Sequence, residues 1–155
     1  MCLRFSVMLP VLFCLVLLSA CNGRHAENTP AKLDAVTKEE PKLTETYWKL
    51  VRLMGEPVKP SQNEAHIILK DHDARVIGSG GCNRLTGGYV LKQPERIRFT
   101  QIVSTMMACP SGMDREQEFL ETLGRVDSYV IRDGRLQLLR ARMAPLAEFE
   151  PVYLY

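Results

Sequence analysis

Asp133-Gly134 sits between two alternating runs, Tyr129–Arg132 and Arg135–Arg140, and no other feature of the chain restricts its fold as tightly. Both residues tolerate positive φ, which a two-residue type I′ turn requires at its two central positions, and such a turn joins antiparallel strands. The register follows by counting. Arg132 opposes Arg135, Ile131 opposes Leu136, Val130 opposes Gln137 and Tyr129 opposes Leu138. Tyr129, Ile131, Leu136 and Leu138 then share one face, as a half-buried hairpin requires. The adjacent arginine pair is mildly unfavourable and is tolerated where it is exposed beside the Asp133 carboxylate.

Shorter strand signals precede this hairpin. Residues 47–53 read as an opening strand with Trp48, Leu50 and Arg52 on one face, although the alternation is imperfect. A Gly/Pro-punctuated loop follows over 54–62. In 65–69, Ala65, Ile67 and Leu69 face one way and His66 and Ile68 the other. Arg75-Val76-Ile77 runs into the glycine loop 78–81, Tyr89-Val90-Leu91 is a fourth strand, and 96–99 places Ile97 and Phe99 inward with Arg96 and Arg98 solvated. One helix is predicted over 113–123, with Phe119, Leu120 and Leu123 on its core face, Val126 near its end, and Glu116, Glu118 and Glu121 on the rest. Ser111 is the expected N-cap and Gly124 the expected stop. A last strand over 146–149 precedes Pro151 and an apolar tail. The expected fold class is mainly β (α+β): a small antiparallel open or cracked barrel with one packed helix.

The N-terminus predicts an address. Arg4 precedes an apolar stretch, Phe5 to Leu18, broken only by Ser6 and Pro10. That is shorter than the roughly 20 residues a membrane-spanning helix needs and suits a signal peptide over 1–20. Leu18-Ser19-Ala20-Cys21 resembles the lipobox of bacterial lipoproteins. The resemblance implies cleavage after Ala20, a diacylglycerol on the Cys21 thiol and an acyl group, such as palmitate, on the new amine. The alternative is an ordinary secretory signal with a chance cysteine, but no Ala-x-Ala site is evident nearby. Asn22 is not the aspartate that retains lipoproteins in the inner membrane, so the resemblance implies an outer-membrane anchor with the body facing the periplasm. Several acyl chains hold firmly where one binds marginally. Residues 21–43 are polar, charged and interrupted by Pro30 and Pro41, a lipidated flexible tether, which leaves 44–155 as one folded body.

Of five cysteines, Cys2 and Cys14 lie in the leader and Cys21 takes the lipid, leaving Cys82 and Cys109. In an oxidising compartment two remaining thiols pair. The loop such a disulfide closes is worth about 3.6 kcal/mol in the chain-entropy model. A thioredoxin-type site wants its cysteines three positions apart, and zinc wants four ligands at short spacing, whereas the body offers only His66 and His72 besides the pair. Asp71-His72-Asp73 can attract a metal but reads more simply as a polar turn. The loop Gly78-Ser79-Gly80-Gly81 lacks the Gly-Lys-Ser/Thr of a phosphate cradle. No catalytic set, cofactor or metal is expected. Apolar residues make up 46% of the chain and charged ones 25%, which argues against a disordered or multi-span protein. With a net charge of +2 and no clustered basic patch, nucleic acid is not an expected partner.

Gly81-Cys82-Asn83-Arg84, Gly87-Gly88-Tyr89, Thr105-Met106-Met107-Ala108-Cys109 and Glu118-Phe119-Leu120-x-x-Leu123 together resemble the META domain of the HslJ-like proteins, and Trp48-x-Leu50 fits that family's opening strand. The resemblance spans roughly residues 44–150. It implies a compact antiparallel fold with a packed helix, in a bacterial envelope protein linked to heat-shock and novobiocin-resistance phenotypes. It also implies a fold similar to the lipid-binding pilot lipoproteins of secretins. It supplies no catalytic residues. Within the motifs, Asn83 suits left-handed backbone and amide capping, Arg84 can serve carbonyls or a carboxylate, and Tyr89 suits the core with its hydroxyl at the rim. Asn83, Arg84, Tyr89 and Thr105 are the candidate ligand residues. The expected partners are the membrane, through the lipid, and an envelope protein or apolar ligand.

Overall fold

In a computed structural model the described residues are 40–141 and 143–153. The expected signal peptide, Cys21 and most of the tether lie outside them. Nine strands and one helix follow in order: β1 (Tyr47–Leu53), β2 (Glu56–Pro57), β3 (His66–Lys70), β4 (Arg75–Ser79), β5 (Arg84–Lys92), β6 (Arg96–Ser104), α1 (Met113–Arg125), β7 (Ser128–Arg132), β8 (Arg135–Leu139) and β9 (Ala147–Val152). They form one antiparallel sheet ordered β6-β5-β4-β3-β1-β9-β8-β7, with the short β2 paired to β1.

The sheet curls until its two edges touch at one end. There the Ile97 amide of β6 donates to Asp127 O (3.3 Å) and the Tyr129 amide of β7 donates to Glu95 O (3.0 Å). The Asp127 carboxylate anchors the β7–β8 side of this seam, accepting from the Ala141 amide and the Ser128 hydroxyl, each at 2.8 Å. Those hydrogen bonds, the Ala141 amide first, together with the Arg96 guanidinium nearby, hold its carboxyl below the usual range. The result is a half-barrel with α1 packed on it, the fold class expected from the sequence.

Alternation fills the curl. Trp48, Ile67, Val76, Ile97, Leu136 and Phe149 come from six different strands and are essentially inaccessible, and Phe119 and Leu123 of α1 join the same cluster. Phe119 meets Phe149 at a ring separation of 6.1 Å. The β7–β8 hairpin has the register read from the sequence, with Asp133 (φ 53°) and Gly134 (φ 74°) both left-handed as the turn demands. Pro151 lies where β9 has run past its pairing with β8, so its missing N–H breaks no bond on that side.

Three local expectations differ from the structure. The helix begins after Gly112, whose φ of 89° suits glycine, and no side chain caps it, so Ser111 is not the N-cap. It runs through Gly124 to Arg125 and ends where Val126 turns extended. Pro41 is buried, Leu43 packs on the core and the Trp48 indole donates to Leu43 O (2.9 Å), so residues assigned to the tether join the body.

Candidate functional site

The loop between β4 and β5 carries Gly81-Cys82-Asn83, β5 opens on Arg84, and the segment between β6 and α1 carries Thr105 to Cys109. Both converge on Glu116 in the first turns of α1. Cys82 and Cys109 form the disulfide, with Cα atoms 6.1 Å apart, as the cysteine count predicted. Beside it lies a polar knot. Glu116 Oε2 accepts the backbone amides of Cys82 (3.0 Å) and Asn83 (2.6 Å), and Oε1 accepts the Asn83 side-chain amide (2.8 Å). Asn83 Oδ1 in turn accepts the Met107 amide (2.7 Å) and the Thr105 hydroxyl (2.8 Å), while Thr105 Oγ1 accepts the Arg84 amide (3.2 Å). Asn83 and Glu116 are 3% and 6% exposed, and among the described residues no buried side-chain polar atom lacks a partner. A buried carboxylate is tolerable only with such a complement of donors.

This arrangement requires Gly80. A Cβ there would run into Glu116 Cγ and lie 2.9 Å from its Cδ, so only glycine lets the carboxylate lie over the loop. The loop's left-handed residue is Gly81 (φ 110°), not Asn83 as expected; Asn83 acts through its side chain. Glu116 itself was assigned to the solvated face. Its signal was in the helical spacing, because 116, 119, 120 and 123 fall on one stripe and Glu116 is the first member of it.

Of the four candidate ligand residues, the structure gathers Asn83, Arg84 and Thr105. Tyr89 is separate. It lies inward, farther along β5, and donates its hydroxyl to Lys70 O (3.1 Å), with burial pushing its phenol up. Asn83 and Thr105 are occupied within the knot, whereas Arg84 is exposed.

Arg84 stands at the rim of a groove of about 1130 Å³ on the outer face of β3–β6. The floor is one cross-strand row in register, Ile68, Ile77, Thr86 and Val103, and a second row runs His66, Ser79, Arg84. Tyr47 stacks on His66 at 4.3 Å and 16°. Burial, then the neighbouring Glu64 charge, raises the Tyr47 phenol, so it stays a neutral donor at ordinary pH. Arg75 reaches across to Thr86 Oγ1 (3.0 Å). Among the described residues no cluster of three His, Cys, Asp or Glu side chains is placed to hold a metal, and no helix is long and apolar enough to cross a membrane.

The META domain family model matches residues 41–153. Two solved structures share the fold. A protein from Burkholderia xenovorans, determined by NMR, is 24% identical over 71% of this chain and 83% of its own, with a TM-score of 0.58. A second NMR structure is 20% identical over 70% of this chain and 90% of its own, with a TM-score of 0.56. No curated protein matches the chain in sequence.

Proposed function

Because the chain belongs to the META domain family, we propose that it is a non-enzymatic lipoprotein of the bacterial outer membrane, anchored through Cys21, whose domain binds or braces envelope components under heat or drug stress. The observation that carries the non-enzymatic part is the Asn83–Glu116 knot. Asn83, Thr105 and Glu116 are spent on one another and on nearby backbone, donor to acceptor, beside a disulfide that leaves Cys82 and Cys109 no free thiol. Groups committed in this way serve shape rather than proton transfer or nucleophilic attack, which need a group free to exchange a proton or form a bond. The anchor rests on Leu18-Ser19-Ala20-Cys21 and Asn22.

A carrier or secretin-pilot role is the second reading, favoured by the groove beside Arg84. Its occupant belongs on the outer face, since buried side chains from seven strands and α1 fill the inside.

Mass spectrometry of protein taken from the envelope tests the proposal. It predicts a chain beginning at Cys21 with acyl mass, found in the outer-membrane fraction, and a Cys21→Ser variant that loses both. A mature chain without acyl mass, or two alkylated thiols before reduction, refutes it.

A further inference from the structure

The groove on the outer face of β3–β6 is open along its length and lies on a half-buried floor, Ile68 and Ile77, that continues into more exposed apolar groups at one end. There Val103 is 58% exposed and Met107 63%, and Met106, next to Met107 in the chain, is 99% exposed. These methionines are not on a loose loop. The Met107 amide is bonded to Asn83 Oδ1, its carbonyl faces Asn83 Nδ2 (3.3 Å), and Cys109 is tied to Cys82 two residues on. The fold therefore holds apolar side chains out in water on a fixed backbone, a feature of interaction surfaces.

Two physical arguments identify the occupant. The first is enclosure. A small apolar ligand needs most of its surface covered, which an open groove does not provide, whereas a polypeptide segment brings its own cover. Tyr, Met and Arg at the groove are also side chains enriched in protein–protein contacts. The second is charge. Three fully charged side chains line the groove: Glu64 is paired with Lys49 at 3.1 Å, Arg75 leans on Thr86 with Asp73 4.0 Å away, and Arg84 has no ion pair among the described residues. A free guanidinium beside an apolar floor calls for a carboxylate set among apolar side chains, and a planar carboxylate can accept two of its N–H groups together.

We propose that this groove docks an extended segment of a partner protein in which apolar side chains flank an acidic one, with the carboxylate on Arg84 and the apolar groups over Ile77, Val103 and Met107. This rests on the binding role proposed above and names the class of partner for it.

The test is selection of a random phage-displayed peptide library on the full chain purified in detergent. The expected result is enrichment of sequences joining Asp or Glu to Val, Leu, Ile or Phe. A synthetic copy of the most enriched peptide should shift the amide resonances of β4, β5 and Val103–Met107. Arg84→Glu and Val103→Asp should each weaken its binding about tenfold or more, while Arg135→Glu, on β8, leaves it unchanged. No enrichment over the unselected library, enrichment of basic sequences, shifts confined to other surfaces, or indifference to Arg84→Glu overturns the proposal. So does a groove that responds to phosphatidylglycerol in mixed micelles and to no selected peptide. Acyl mass and outer-membrane recovery report on the parent proposal and do not depend on Arg84, so the two fail separately.

Discussion

Replacing Glu116 is the most direct perturbation of the knot, because a single carboxylate joins α1 to the loop that carries Cys82 and Asn83. Glu116→Ala removes the acceptor of three N–H groups: two backbone amides and the Asn83 side-chain amide. Hydrogen bonds to a charged group contribute about 1.5–3 kcal/mol each, and leaving a buried donor unmade costs about 1–3. The three share one acceptor and will not add fully, so the expected loss is about 3–5 kcal/mol. For a body of this size, roughly 4 °C of midpoint accompanies each kcal/mol.

Glu116→Gln is the sharper form of the test. One oxygen can keep both backbone amides, but the new NH₂ then faces Asn83 Nδ2, donor against donor. Asn83 cannot escape by flipping, since Oδ1 already holds the Met107 amide and the Thr105 hydroxyl. The expected cost is about 1.5–3 kcal/mol, between wild type and the alanine variant. Urea unfolding of the oxidised protein reads both, with Glu118→Gln on the exposed face of the same helix as the control. If the glutamine variant unfolds at the wild-type midpoint, or the alanine variant matches the Glu118→Gln control, the carboxylate does not hold the loop and the reasoning is wrong.

Other expectations follow from the same contacts. Gly80→Ala should cost about 1–3 kcal/mol by overpacking against Glu116, and less in a Glu116→Ala background; equal costs in the two backgrounds, measured by a denaturation cycle, would show that the two residues do not meet. Cys82→Ala with Cys109→Ala should lower stability by about 2–5 kcal/mol, and an unchanged melting midpoint would refute the structural role of the disulfide. Asp127 has a depressed folded pKa, so it contributes stability that is present above the unfolded value near 3.9 and is lost as pH falls through the folded value. Asp127→Asn should therefore flatten the urea midpoint between about pH 2 and 5, and a variant with the wild-type acid slope would rule out this carboxyl.

What the sequence revealed and what it hid follow a physical divide. The β7–β8 register was legible to the residue because its cause is local: two residues that accept positive φ, and alternation on either side. The disulfide was legible because arithmetic left only two thiols. The strands at Arg84–Lys92 and Arg96–Ser104 proved longer than their alternating cores because Gly87-Gly88 and a bulge at Gln101 (φ 51°) break the period while the ladder continues. The seam at Ile97 and Asp127 was invisible, since it joins two edges that only the curl of the whole sheet brings together. Glu116 was misplaced for a related reason. Charge normally marks the solvated side of a helix, and the three donors that overturn that rule come from more than thirty residues earlier in the chain.

The same geometry explains why the polar knot and the exposed guanidinium belong together. Asn83 sits one residue before Arg84 and bonds the backbone of Met107, so fixing its two ends fixes the spacing between the cation and the apolar end of the groove. The disulfide ties the same two loops a second time. Two clamps on one gap set its width together, and a rim whose width is set before binding loses less freedom when a partner arrives. Stability and recognition should therefore separate by residue. Glu116 variants lose stability and blunt peptide binding together, whereas Arg84→Glu removes a side chain that no described hydrogen bond or ion pair uses, so it should weaken binding about tenfold or more at an unchanged melting midpoint. If Arg84→Glu instead lowers the midpoint by several degrees, the guanidinium is part of the clamp and the rim is not free to receive an acid.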